Sequence, residues 1–210
     1  MSAKNILKVE ELVFERNHSP LFHPLSFSVD SGQALHVEGA NGAGKTTLFQ
    51  LLTGLLQPSQ GTILFCDRSV EECKYEYFSD LLYIGHQSAV NAMFSARENL
   101  QWMSPANTSS KQIISALASV GLQNYSHTAC HKLSAGQQRR VALARLLTSK
   151  ANLWYLDEPF AALDKQGVDF VESCMHQHIE KGGSIVFSSH QDLAKMPTYK
   201  LRINRCGEVD

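Results

Sequence analysis

The chain has 210 residues, enough for one domain with a full hydrophobic core, or for one domain with a small insertion. Its 19 basic and 20 acidic side chains nearly balance, which argues against a broad positive surface for nucleic acid or anionic lipid. Five cysteines without a C-x-x-C pair indicate neither a disulfide framework nor a zinc site. The first 17 residues lack an apolar core, so we expect no secretory signal and a cytoplasmic chain. Polar residues, glycine and proline interrupt the longest uncharged run, residues 46–66, so we expect no membrane span.

β-Strands are predicted for most of the first forty residues. Residues 6–14 and 25–29 show the apolar alternation of half-buried strands, and a polar turn at 16–20 separates them. This pattern favours an antiparallel meander. A further apolar strand, residues 34–37, leads directly into a glycine-rich segment.

The glycine-rich segment, residues 39–47, reads GANGAGKTT and fits G-x-x-x-x-G-K-[ST] between a predicted strand and a predicted helix that ends near Leu56. Glycines let backbone N–H groups converge on an anion, and Lys45 adds a full charge toward the β and γ phosphates. Thr46 offers a hydroxyl to Mg²⁺. We therefore predict a phosphate loop for ATP, rather than an ordinary surface turn, formed by Gly39, Asn41, Gly42, Ala43, Gly44, Lys45, Thr46 and Thr47.

A helical region is predicted after this first part of the chain. The apolar strand 81–85 places Gln87 at its carboxyl end, where ligands bind in open α/β sheets. Ser95 and Glu98 then fit a capping box that starts a helix through Trp102.

A second helix is predicted over residues 111–120. We therefore expect one domain, in which residues 90–132 form a helical subdomain inserted into a core of residues 1–89 and 133–210.

The segment LSAGQ, residues 133–137, starts a long helix that we expect to continue through Leu147. Ser134 and Gln137 fit a capping box, and Gly136 leaves room for a ligand. Taken alone, this pattern is typical of an ordinary helix cap. The strand that follows favours a second anion site instead.

That strand, residues 152–156, leads into Asp157 and Glu158. Phosphoryl transfer needs one carboxylate to hold Mg²⁺ and another to orient and deprotonate the attacking water. We expect Asp157 to take the first role and Glu158 the second; two acids in a surface turn are the alternative.

The last predicted elements are a helix from Asp164 to Lys181 and a strand over residues 184–189. This strand presents His190 at its carboxyl end. A lone histidine is usually structural, but this position favours a contact with phosphate.

These motifs in this order resemble the ATP-binding subunits of ABC transporters over essentially the whole chain. The resemblance implies an α/β fold: a P-loop NTPase (ABC ATPase) core with an N-terminal antiparallel β meander and an inserted helical subdomain. It also implies an ATPase that uses ATP and Mg²⁺. In that family two subunits face head to tail, and each ATP lies between the phosphate loop of one and the LSxGQ helix of the other.

The resemblance also implies a role for each motif residue. Glu158 would be the general base, His190 the γ-phosphate contact and Gln87 the link between Mg²⁺ and a membrane subunit. Asp164 would lie in a loop that crosses the dimer interface. An aromatic residue early in the chain normally stacks on adenine, and Phe14 is either that residue or a core side chain. Ser134, Gly136 and Gln137 would grip the γ-phosphate held by the partner's Lys45.

Within the family, four stretches resemble the ATPase subunits of cytochrome c maturation (haem exporter) complexes. The stretches are LYIGHQ at 82–87, LSAGQQRRVALARLL at 133–147, DEPFAALD at 157–164 and SSHQ at 188–191. This resemblance implies integral membrane partners and a peripheral place at the cytoplasmic face of the bacterial inner membrane. It also implies ATP hydrolysis coupled to haem export or to release of a haem-loaded chaperone. An ATPase subunit of another small-substrate transporter and a non-transport ABC ATPase are the alternatives.

We expect no direct haem binding, because Cys130, Cys174 and His178 belong to no C-x-x-C-H motif. A DNA-acting ABC ATPase would need a long coiled coil, and no heptad run separates Lys45 from Ser134.

The apolar run Ala92, Met93 and Phe94 precedes the predicted helix at Ser95. We expect it to form an exposed patch that docks a membrane partner, unless it folds back onto the helical core.

Overall fold

A computed structural model describes residues 5–190 and 197–206, so Gln191, the last residue of the fourth motif run, lies outside the described residues. The strands are β1 Asn5–Val13, β2 Glu15–Arg16, β3 Ser19–Pro20, β4 Leu25–Asp30, β5 Ala34–Glu38, β6 Gln60–Phe65, β7 Arg68–Ser69, β8 Leu81–Ile84, β9 Leu153–Asp157, β10 Ser184–Ser188 and β11 Tyr199–Arg202. The α-helices are α1 Lys45–Leu52, α2 Lys74–Ser79, α3 Ala96–Met103, α4 Ser110–Ser119, α5 Ala135–Leu143, α6 Arg145–Thr148 and α7 Lys165–Glu180. Short 3₁₀ helices cover Gln123–Tyr125 and Cys130–Lys132.

The predicted antiparallel meander is confirmed as a sheet with the order β4-β1-β6-β7. β1 pairs antiparallel with both β4 and β6, and its inward side chains, such as Leu7 and Val9, are buried. The predicted polar turn lies within the hairpin β2-β3. Its two central residues, Asn17 and His18, have φ angles of 54° and 61°, as the tight turns that match the strand twist require.

The second sheet has the order β11-β5-β10-β9-β8, and β10 pairs parallel with both β5 and β9. Every residue of β9 and β10 is buried, as expected for central strands of a parallel sheet covered on both faces. Because parallel strands end at the same edge, the residues that follow β5, β9 and β10 meet there. The α/β fold class is therefore confirmed, with a parallel sheet that gathers the residues at the ends of β5, β9 and β10 at one edge.

Residue contacts divide the chain into two compact units. The first unit contains residues 5–83, 151–158, 177–190 and 197–206 of the described chain; the second contains the two segments 84–150 and 159–176. The expected helical subdomain lies wholly within the second unit.

The second unit is larger than the expected subdomain because α5 packs with the helices. Val141 and Ala144 belong to the same apolar cluster as Leu100 and Leu117. The pattern of polar and apolar residues does not predict this packing, because it identifies the buried face of a helix but not the element that covers that face. The single-domain division itself remains a prediction.

Two helices differ in length from their predictions. α1 ends at Leu52 rather than near Leu56, because Gly54 takes a left-handed φ of 70° and its N–H donates to the Leu51 carbonyl. The helix expected to run through Leu147 is interrupted at Ala144, where a tighter bond from Leu147 N to Ala144 O closes a turn.

In the part of the chain that the structure describes, no helix has both the length and the apolar character to cross a lipid bilayer.

A chain of buried hydroxyls ties α1 to β9 within the first unit. The Tyr77 hydroxyl donates to the Leu52 carbonyl at 2.6 Å and lies 2.7 Å from the Tyr155 hydroxyl, which therefore donates to it. Both side chains are fully buried, and desolvation raises the pKa of each phenol. The far end of α1 is thus fixed to the strand that ends at Asp157.

Replacing Tyr77 by Phe removes the donor of the Leu52 carbonyl and the acceptor of the Tyr155 hydroxyl. We expect the free energy of unfolding to fall by about 1–3 kcal/mol. Tyr155→Phe keeps the bond to Leu52 and should cost about 1 kcal/mol. Urea unfolding followed by circular dichroism measures both variants. Equal midpoints for Tyr77→Phe and the wild type would contradict the hydroxyl chain.

Candidate functional site

The phosphate loop surrounds a buried lysine. Lys45 is 9% exposed, and its Nζ donates to the carbonyl oxygens of Gly39 at 2.7 Å and Ala40 at 3.2 Å. The loop therefore holds the ammonium against its own backbone, at the start of α1. Within the described residues, no side chain caps this helix start, where Gly44 is the N-cap residue. Its first N–H groups remain suited to an anion.

Glycine is required at two places in this loop. Gly44 has a φ of 108°, and a Cβ there would lie 2.8 Å from the Phe22 ring. A Cβ on Gly39 would lie 2.6 Å from the Ile203 carbonyl oxygen. Both contacts are too short for any larger residue without a shift of the surrounding chain.

A cluster of hydroxyls surrounds the buried carboxylate of Asp157, which is 1% exposed. Thr46 Oγ1 donates to one carboxylate oxygen at 2.9 Å, and Ser188 Oγ donates to the other at 2.8 Å. Ser188 also accepts from the Glu158 N–H at 2.9 Å. A hydroxyl and a carboxylate side by side are hard oxygen donors of the kind that Mg²⁺ takes beside substrate phosphates. Two of the three residues predicted for the metal, Thr46 and Asp157, are thus brought together, whereas the third, Gln87, belongs to the second unit.

Glu158 lies next to His190 at the edge of the parallel sheet. Its Oε1 is 3.5 Å from His190 Nε2, and its side chain is 18% exposed whereas that of His190 is 61% exposed. Glu158 also takes a left-handed φ of 51°, which is costly for a residue with a side chain. Such strain recurs at functional sites because the surrounding structure imposes it.

The second unit contains the LSAGQ motif, and its capping box is confirmed. Ser134 Oγ accepts from Gln137 N at 3.2 Å, and Gln137 Oε1 accepts from Ser134 N at 2.9 Å. Ser134 is exposed, and the bond from Gln137 N occupies only a lone pair of its oxygen, which leaves the O–H able to donate. A Cβ on Gly136 would meet the Ala162 carbonyl at 3.5 Å, an ordinary contact.

Asp164 directly precedes α7 and caps its start, as predicted. Its Oδ1 accepts from Gly167 N at 2.9 Å, and its Oδ2 accepts from Arg140 Nη2 at 2.6 Å. The Gly167 N–H, followed by the Arg140 guanidinium, lowers the pKa of Asp164. This carboxylate is therefore held in its ionised form, at the loop that leads into α7.

Gln87 is exposed in the second unit, two residues before Ala89, which has a φ of 52°. Sequence reasoning missed the buried Arg139, whose Nη1 donates to the Gly85 carbonyl and, at 3.4 Å, to the His86 carbonyl. A guanidinium inside the unit thus supports the backbone that leads to Gln87. The only sequence signal for it is an arginine pair in the helix after LSAGQ.

Phe14 is half-buried and packs against the apolar cluster of the first unit. Its stacking on adenine remains a prediction.

The candidate haem ligands lie in apolar or hydrogen-bonded surroundings. Burial raises the pKa of Cys174 to about 11, so the thiol is protonated at neutral pH. Cys130 is fully buried and accepts from Asn99 Nδ2 at 3.2 Å. His178 stacks on Trp154 with ring centroids 3.7 Å apart. The expected absence of haem binding remains a prediction.

The run Ala92–Phe94 is exposed, as predicted: Met93 is 76% exposed and Phe94 41%. Its backbone is held from inside the second unit. Cys130 N donates to the Phe94 carbonyl at 2.8 Å, and the buried Asn99 accepts from Asn91 N at 2.7 Å. The two apolar side chains therefore project from a backbone with fixed hydrogen bonds.

Comparison with known proteins places these features in a family. Residues 22–161 match the model of the ABC transporter family. The chain is 44% identical over 188 residues to a cytochrome c biogenesis ATP-binding export protein, CcmA, of Escherichia coli O157:H7, with 90% of each chain covered. It is 42% identical over 200 residues to CcmA of Pseudomonas putida KT2440, covering 94% of this chain and 95% of that protein.

A solved structure shows the same fold at low identity. It is a dimeric ATP-binding cassette in a post-hydrolysis state bound to ADP and Pi, with a TM-score of 0.81 and 19% identity. The structural match covers 94% of this chain and 94% of the solved cassette. The chain therefore belongs to the ABC transporter family of nucleotide-binding ATPases, and to the CcmA group within it.

Proposed function

We propose that this chain is the ATP-hydrolysing subunit of a cytochrome c biogenesis export complex. The observation that carries the proposal is the cluster of Thr46, Asp157, Glu158 and His190 at one sheet edge, in a chain 44% identical to a cytochrome c biogenesis ATP-binding export protein. In this proposal, hydrolysis serves haem export or the release of a haem-loaded chaperone, and haem itself does not bind to this chain. The chain works at the cytoplasmic face of the bacterial inner membrane, as a peripheral subunit.

Each residue of the cluster has a defined part in hydrolysis. The phosphate loop and Lys45 bind the β and γ phosphates, and Thr46 with Asp157 holds Mg²⁺. That ion neutralises phosphate charge when it is bound. Glu158 orients a water molecule and accepts its proton on a carboxylate oxygen as the water attacks the γ-phosphorus. The bond from that phosphorus to the β,γ-bridging oxygen breaks, ADP leaves with the bond's electron pair, and His190 contacts the γ-phosphate throughout.

A second copy of the chain completes the site in this proposal. Ser134, Gly136 and Gln137 of one copy grip the γ-phosphate bound by the other, and Asp164 lies in the loop that crosses the interface. The exposed hydroxyl of Ser134, with its hydrogen still free to donate, supports this arrangement. The related dimeric cassette bound to ADP and Pi also supports it.

The partners in the membrane are integral subunits of the same complex. Met93 and Phe94 form the docking contact, because a fixed backbone that projects apolar side chains loses little freedom on binding. Gln87 links the Mg²⁺ site to this docking region, a role that the family resemblance supplies.

Replacing Glu158 by Gln removes the base but leaves Asp157 and Thr46 in place. We expect turnover to fall by roughly 10²–10⁴-fold, because general base catalysis contributes that much, while ATP binding persists and traps a nucleotide-bound dimer. Phosphate release and size-exclusion chromatography with ATP measure both effects. Glu72→Gln, at an exposed acid on the loop before α2, is the control. Turnover within about threefold of the wild type would contradict the role of Glu158.

Replacing Ser134 by Arg should abolish turnover while each isolated subunit still binds ATP, because the long side chain blocks closure on the partner's phosphates. The matched control is Ser109→Arg, which removes the same type of capping box, with Gln112, from α4 of the same unit. The control should retain turnover. Loss of ATP binding by the Ser134→Arg monomer, measured by equilibrium binding, would contradict the head-to-tail arrangement.

Replacing Phe94 by Asp places a charge on the proposed docking contact. We expect the variant to leave the membrane fraction and to stop cytochrome c maturation, while the purified chain folds and binds ATP. Ile114→Asp is the control, because Ile114 is 46% exposed on α4 of the same unit. A Phe94→Asp variant that stays membrane-bound and supports maturation would show that docking occurs elsewhere.

A further inference from the structure

A buried imidazole lies beside the strand that ends before His190. His36 is on β5, three residues before the phosphate loop, and is 3% exposed. It is in register with Phe187 of β10, and the two rings stack in parallel with centroids 4.6 Å apart. Sequence reasoning does not single out this histidine, because it lies in a short apolar strand.

The same imidazole is hydrogen-bonded to the backbone next to His190. His36 Nε2 lies 3.0 Å from the carbonyl oxygen of Ser189. A carbonyl oxygen can only accept, so Nε2 carries the hydrogen and donates it. Ser189 is itself 7% exposed, so this bond satisfies a carbonyl inside the protein, where an unpaired one is costly.

The other ring nitrogen faces the start of the phosphate loop. His36 Nδ1 lies 3.6 Å from Oε1 of Glu38, the residue before Gly39, and the same carboxylate oxygen binds Lys200 Nζ at 2.6 Å. One side chain thus lies between the residue that precedes the phosphate loop and the residue that precedes His190.

The neighbouring residue, Ser188, is hydrogen-bonded to the end of β9, the strand on the other side of β10. Its hydroxyl donates to Asp157 and accepts from the Glu158 N–H. The two residues before His190 are therefore each tied to a different neighbouring strand: Ser188 to the end of β9, and Ser189 to β5 through His36.

We propose that His36 is a positioning residue for His190. Its hydrogen bond sets the orientation of the Ser189 carbonyl and therefore of the peptide bond between Ser189 and His190. His190 Nε2 lies 3.5 Å from Glu158 Oε1. Without this donor the carbonyl turns toward another partner, and the imidazole of His190 moves with the peptide. Small displacements of a group near the reacting atoms lower turnover strongly. The inference rests on the proposed contact between His190 and the γ-phosphate.

The experiment compares two replacements of similar shape in the full chain. His36→Met removes the donor, and His36→Gln keeps an N–H on a side chain of nearly the same length. We expect His36→Met to lower kcat by about tenfold, the effect of one lost hydrogen bond, with Kd for a non-hydrolysable ATP analogue within about twofold of the wild type. His36→Gln should recover most of that loss. His36→Phe, which keeps a ring on Phe187, should behave like His36→Met and replaces it if that variant does not fold.

A double-mutant cycle separates positioning from packing. If His36 acts through His190, His36→Met causes no further loss of kcat in a His190→Ala background. Additive losses, or equal losses in the Met and Gln variants, would overturn the positioning role while leaving the proposed function intact. A His190→Ala variant with unchanged turnover would overturn the proposed role of His190 itself, and the positioning role with it.

Discussion

The parallel pairing of β10 with both β5 and β9 is the constraint on which the first unit depends. It places three strand ends side by side at one edge of the sheet. These ends bear the phosphate loop after β5, the acids at the end of β9 and His190 after β10. If β10 paired in any other register, the Ser188 hydroxyl would not reach Asp157, and the phosphate loop would lose its acidic neighbour.

The carboxylate of Asp157 at this edge is buried, and an unpaired oxygen there would be costly. Asp157 accepts from two hydroxyls, one of which belongs to the phosphate loop. Tyr77 and Tyr155 fix the opposite end of α1 to the same strand. The helix is therefore fixed at both ends to β9. In the proposed function, a helix fixed in this way needs little backbone rearrangement to bind phosphate at its start.

The second unit is stabilised by local capping at helix N-termini. Three of its helices begin with a complete capping box, at Ser95, Ser109 and Ser134. The three boxes share the same pair of backbone bonds, and Ser109 is exposed like Ser134, but of these three helices only the LSAGQ helix has glycine as its second residue. A cap alone is thus no evidence of a ligand site. The Asn99 side chain and the Cys130 backbone both donate to the Phe94 carbonyl and so hold the Ala92–Phe94 run, whose apolar side chains remain exposed.

The sequence by itself determined the local features of this protein: the phosphate loop, the helix caps, the apolar strands and their order. These depend on residues a few positions apart, where glycine, serine and apolar periodicity act directly on the backbone. Only the tertiary structure decided which distant groups meet. Thr46 lies 111 residues from Asp157, and His36 lies 153 residues from Ser189. Those contacts follow from strand register, which no local pattern encodes, because a one-residue slip would preserve the apolar run of a fully buried strand while moving every polar neighbour.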